Sequence, residues 1–137
     1  MTQINAYLTF DGNCREAMTF YHRCLGGYLE IIPFEGSPMA KTMPEEMLHQ
    51  VMHANIRKEQ LVLMASDGGG MKGQLVKGNT INLSLNCSSD EEIEEYFNKL
   101  SEGGKITMPL AEQFWGAKFG MLTDKFGIDW MLNYDHK

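Results

Sequence analysis

The residues best suited to chemistry in this chain of 137 residues are His49 and His53, set four apart in LHQVMHANIR. On a helix that spacing puts two imidazoles on one face, in reach of a single zinc ion. Here the segment runs on through Ala54-Asn55-Ile56-Arg57 to a short Lys58-Glu59 turn, which reads as a strand entering a hairpin. On a strand, residues four apart share a face but stand about 13 Å from each other, too far for one ion. His53 is then the best candidate for a polar pocket group or general base, because imidazole alone titrates unperturbed near neutrality. Its alternative is a hydrogen-bonded strand histidine. A second set, Thr80, Asn82, Ser84 and Asn86, alternates with Ile81, Leu83 and Leu85. Hydroxyls and amides on one face would orient a small polar ligand, or simply meet solvent or the rest of the chain. Gln113-Phe114-Trp115 offers rings that stack on a flat ligand or anchor a core.

Other motifs point away from chemistry. Ser66-Asp67-Gly68-Gly69-Gly70 follows an apolar run, in the manner of a glycine loop for a nucleotide or S-adenosylmethionine. Such a loop must open a helix whose N-terminus faces the ligand, and no helical periodicity follows Gly70. Cys14, Cys24 and Cys87 are odd in number and lack C-x-x-C spacing. They read as small buried groups in a reducing compartment, not as a disulfide framework or zinc ribbon. The acidic run Asp90, Glu91, Glu92, Glu94 and Glu95 falls in the first turns of a helix, where the macrodipole favours negative charge. Eleven methionines suit an adaptable apolar cavity or a loosely specified core equally well.

The elements that must position these residues occur twice. Residues 4–10 read as a strand, Asn13-Cys14-Arg15-Glu16 as a capping box, and Ala17, Met18, Tyr21, Cys24 and Leu25 as a helical stripe closed by Gly26-Gly27. Three strands follow, over residues 28–34, about 49–57 and 60–65. The order then recurs: a strand over 80–87, a capping box at Ser89-Asp90-Glu91-Glu92, a stripe of Ile93, Tyr96, Phe97 and Leu100, and Gly103-Gly104. Strands over residues 105–110, about 115–123 and 128–134 complete it, the last two joined by Asp124-Lys125-Phe126-Gly127. The spacing predicts an α+β fold of duplicated βαβββ units: unit one about 1–67, a Gly-rich linker 68–78, and unit two about 79–137, together one domain. One unit covers only one face of its sheet. Two side by side would form a curved eight-stranded sheet with the helices outside and a concave face for a small molecule. Residues 34–48, with Pro38 and Pro44, read as a long mobile loop able to cover that face.

Composition sets the outer bounds. At 43% hydrophobic and 22% charged the chain is of ordinary globular make-up, and its net charge of −6 without a basic run argues against nucleic acid as a partner. No run approaches the roughly 18 apolar residues of a membrane span, and no export signal is read at the start. The expectation is a cytoplasmic protein.

The motifs also resemble a known family. The chain is similar to the vicinal-oxygen-chelate superfamily (glyoxalase I, bleomycin-resistance proteins, extradiol dioxygenases), and within it to the PhnB-like branch, often labelled 3-demethylubiquinone-9 3-methyltransferase-like. The likeness is carried by the run from Tyr7-Leu8-Thr9-Phe10 to Asn13-Cys14, Phe20-Tyr21 with Leu25-Gly26-Gly27, and His53-Ala54-Asn55-Ile56. In the second half Met108-Pro109, Gln113-Phe114-Trp115-Gly116 and Thr123 through Gly127 to Trp130-Met131 carry it. The resemblance implies a homodimer and a divalent metal held by His, Glu or Gln on the first and fourth strands of each unit. Aligned through Phe20-Tyr21, those positions fall on Ala6, Met64, Thr80 and Met131, none a credible ligand for such a cation. A shift of one or two residues offers Asn5, Asn82, Asp129 or Asn133, still no histidine. The expectation is therefore a protein that binds an unidentified small molecule, with no metal and no other cofactor. Ala6, Leu8, His53, Met64, Thr80, Asn82, Trp115 and Met131 would line the site. The alternative is an enzyme, either metal-dependent through atypical ligands or the methyltransferase of the family label.

Overall fold

The computed structural model describes residues 2–68 and 75–136. The chain divides into two compact units, Met1–Lys77 and Gly78–Lys137. The first runs β1 (Ala6–Phe10), α1 (Cys14–Leu25), β2 (Tyr28–Pro33), β3 (Val51–Lys58) and β4 (Leu61–Asp67). The second repeats the order as β5 (Leu83–Asn86), α2 (Asp90–Leu100), β6 (Lys105–Glu112), β7 (Ala117–Thr123) and β8 (Asp129–Asp135). The strands form two four-stranded sheets, β1-β4-β3-β2 and β5-β8-β7-β6, in which the first strand of each unit pairs parallel to its last. This is the duplicated βαβββ α+β fold that the repeat predicts.

Each helix forms because its apolar residues recur at the helical period. Ala17, Met18, Phe20, Tyr21, Cys24 and Leu25 make the buried stripe of α1, and Ile93, Tyr96, Phe97 and Leu100 that of α2. The stripes pack on β2, β3 and β4 in the first unit and on β7 and β8 in the second. The two helix starts differ. Ser89 Oγ accepts from Glu92 N at 3.0 Å and Glu92 Oε1 accepts from Ser88 N at 2.8 Å, close to the capping box read in the sequence. Asn13 makes no side-chain cap, contrary to expectation. Its place is taken by buried Asp67, whose Oδ1 accepts from Gly12 N (2.8 Å) and Cys14 N (3.0 Å) and whose Oδ2 accepts from Val51 N (2.8 Å). The second unit has its own buried carboxylate, Asp124, which takes the N–H groups of Phe126, Ile128 and the Trp130 indole. Two glycines fit the repeat closely. A Cβ on Gly27 would stand 2.6 Å from the Arg57 carbonyl oxygen, and one on Gly104 would strike that of Thr123.

Several expected boundaries move. β5 begins at Leu83, leaving Thr80, Ile81 and Asn82 exposed ahead of it. The β3–β4 turn falls at Glu59-Gln60, one residue later than read, with Glu59 at φ 53. Residues 34–50 are no plain loop. They carry short 3-10 turns at Pro38–Thr42 and Glu45–Met47, and their base is tied by Phe34 N to Gln50 O and Glu35 N to Leu48 O. Residues 69–74, most of the expected linker 68–78 and with them Gly69 and Gly70, lie outside the described residues.

Candidate functional site

Strand register assigns every side chain a face. In the first sheet Ala6, Leu8 and Phe10 pair with Leu63, Ala65 and Asp67, and Ile56 and Ala54 with Leu63 and Ala65. Those buried partners make up the face under α1. The alternates, Tyr7, Met64, Asn55 and Glu30, stand in one row across the opposite, open face. Ala6 and Leu8 thus share the helix-packed face, and Tyr7 is the open-face residue of β1. Alignment through the helix could not separate the two, because a slip of one residue exchanges faces.

On this open face Tyr7 reaches over β4 to His53. Its hydroxyl stands 3.1 Å from Nδ1, and the rings lie 5.7 Å apart at 34°. His53 Nε2 has no hydrogen-bond partner among the described residues. The bond can run either way: Tyr7 donates to Nδ1 and leaves the proton on Nε2, or Nδ1–H donates and leaves Nε2 an acceptor and the hydroxyl a donor. The pair can therefore meet a ligand donor or a ligand acceptor. Met64 supplies polarizable apolar surface beside it. His49 is not a second ligand at this place. It precedes β3, stands exposed, and lies 3.7 Å from Glu35. Among the described residues no three His, Cys, Asp or Glu side chains gather into a metal-binding group.

The second sheet has a matching open face. Ser84, Met131, Met121 and Met108 form its row, with Asn86, Asn133 and Phe119 beside them, while Leu83 and Leu85 lie with buried Trp130 and Leu132 under α2. Met131 sits where Met64 sits in the first unit. Ser84, not Thr80, is its neighbour on the first strand of the unit. Thr80 and Asn82 fall outside β5. Trp115, half exposed, packs edge-on against Phe119 at 6.1 Å and against exposed Phe114. The thiols of Cys14 and Cys87 are not nucleophiles at neutral pH. Burial first, and then the nearby carboxylates of Asp67 and Glu92, push each up to about 12.

Over residues 2–133 the sequence matches the family described as 3-demethylubiquinone-9 3-methyltransferase. The chain belongs to this family. Protein YjdN of Escherichia coli is 34% identical to it, across 95% of this chain and 93% of that one. The crystal structure of protein PA1353 from Pseudomonas aeruginosa is 44% identical over the full length of both chains, with a TM-score of 0.85. A putative 3-demethylubiquinone-9 3-methyltransferase, PhnB protein, from Bacillus cereus is 28% identical, covers 97% of this chain and 99% of its own, and gives 0.74. A glyoxylase/bleomycin resistance protein/dioxygenase domain from Frankia, 14% identical across 100% of this chain and 94% of its own, shares the fold at a TM-score of 0.66. The description of the family names a methyl transfer. Of the glycine loop such a reaction would use, Gly69 and Gly70 lie outside the described residues. Asp67 beside it is buried and engaged with three backbone N–H groups.

Proposed function

We propose that this protein binds a small molecule on the open face of its first sheet, against Tyr7, His53 and Met64, without the metal ligands usual in its superfamily. The observation that carries the reading is the Tyr7–His53 hydrogen bond, an adaptable polar pair set beside apolar Met64 on the sheet face away from α1. A few convergent polar groups on an apolar surface are what small-molecule sites consist of. The open-face row of the second sheet, with Ser84 and three methionines, has the same make-up. The same hydrogen bond favours a second reading, an enzyme in which His53 moves a proton as general base with Tyr7 fixing its tautomer. We further place the protein in the cytoplasm as a homodimer within a single glyoxalase-like domain. Three free cysteines and exposed edge strands support that placement. No helix among the described residues is long and apolar enough to cross a membrane.

The test is a thermal-shift panel of quinones, phosphonates, aromatic acids and S-adenosylmethionine. A ligand at 100 times its Kd adds about 2.7 kcal/mol of stability. Tyr7→Phe and His53→Ala are each expected to weaken the best ligand by about three- to tenfold, the worth of one hydrogen bond. Unchanged affinity in both variants removes the site from this face. Turnover that survives Tyr7→Phe but not His53→Ala would favour the enzyme.

A further inference from the structure

Two residues along β3 from His53, and again two further, the open face carries Asn55 and Arg57. Asn55 is only 3% exposed and both ends of its amide are engaged. Its Nδ2 donates to Glu30 Oε1 at 3.0 Å, and its Oδ1 accepts from Arg57 Nε at 3.2 Å. Glu30 thereby settles which way the amide points, since a carboxylate only accepts. The oxygen must turn to Arg57. The bond to Nε folds the guanidinium back over the strand, onto the face that holds Met64 and the Tyr7–His53 pair. No carboxylate among the described residues stands within 4.0 Å of that guanidinium. Glu30 itself is held on the far side of the amide.

A positive group aimed by a buried amide and left without a counter-ion, on the same face as a polar pair, is arranged to receive an anion. Resting on the site reading above, we propose that the ligand carries an oxyanion, a carboxylate or a phosphonate, bound by the Nη groups of Arg57. Its apolar body lies over Met64 and a hydrogen-bonding group meets Tyr7 and His53. Asn55 and Glu30 are positioning residues that act through Arg57.

Three probes sharing one ring test this: benzamide, benzoate and phenylphosphonate, titrated into the full-length protein and followed by amide chemical shifts. At least one anion is expected to bind about tenfold tighter than benzamide, the extra strength of charge-assisted bonds. Arg57→Gln should bring that anion to the level of benzamide and leave benzamide unchanged. Glu30→Gln keeps an acceptor for Asn55 and should keep the preference. Glu30→Ala frees the amide and should erode the preference, a ratio that a merely structural role would not move. Carboxylate against phosphonate distinguishes a planar oxyanion from a tetrahedral one. Benzamide binding without any gain for either anion, or a preference that survives Arg57→Gln, overturns the inference and leaves the site reading standing. No binding of any of the three overturns both.

Discussion

Tyr7 and His53 are separated by 46 residues of sequence and by 3.1 Å at their polar atoms. The sequence singles out His53 as a candidate from its chemistry alone, but not its partner Tyr7. Its selection depends on the face of β1 that the register turns outward, and no local pattern states that register. Nothing local in the sequence marks Asn55 and Arg57, for a similar reason. Each is an ordinary polar residue on a strand until Glu30, 25 residues away from Asn55, fixes the amide. The cysteines give a test at this scale. Burial raises the pKa of Cys14 and of Cys87 from 9.0 to about 12, so the fold favours the protonated thiol. Their contribution to stability is complete below pH 9.0 and is lost as pH rises toward about 12. Thermal midpoints should therefore fall from pH 9.0 upward, and Cys14→Ala should make that fall shallower. Ellman's reagent should find the thiols slow in the native protein and fast after denaturation.

The helices were the most legible elements, because a stripe such as Ile93, Tyr96, Phe97 and Leu100 states its own periodicity. Strand ends were less so. The alternation begins at Thr80, yet β5 starts only at Leu83, paired with Trp130 of β8. The helix starts separate local from distant information. Ser89 caps through a residue three positions on and could be read directly, whereas Asp67 reaches Cys14 from 53 residues away. Thermal denaturation of three variants checks the distinction. Ser89→Ala should cost about 1 kcal/mol, and Asn13→Ala much less, since Asn13 makes no cap. Asp67→Ala should cost more than about 2 kcal/mol, because it strands buried N–H groups and removes bonds to a charged acceptor. A cost at Asn13 equal to that at Ser89 would return the capping role to Asn13.

At the scale of the whole molecule, repetition was the feature the sequence stated most clearly, and the structure repeats in detail. Gly27 presses on the backbone of β3 and Gly104 on that of β7, the matching strand of its own unit, and Met64 and Met131 occupy matching rows. Family membership follows from nearly the full length of the chain. What we propose the protein binds depends instead on a few open-face side chains, and on that proposal it does without the metal chemistry that its resemblance implies. On our reading the positions that hold a cation in metal-bearing relatives are here thioethers beside a phenol and a hydroxyl, soft or neutral groups that a borderline divalent ion binds poorly. Methyl spectra of methionine-labelled, untagged protein, recorded during titration with nickel(II), test that claim most directly. The account predicts that the Met64 and Met131 methyl signals stay sharp at one equivalent of nickel(II). Selective broadening of those two signals at that ratio, with buried Met18 unaffected, would contradict it.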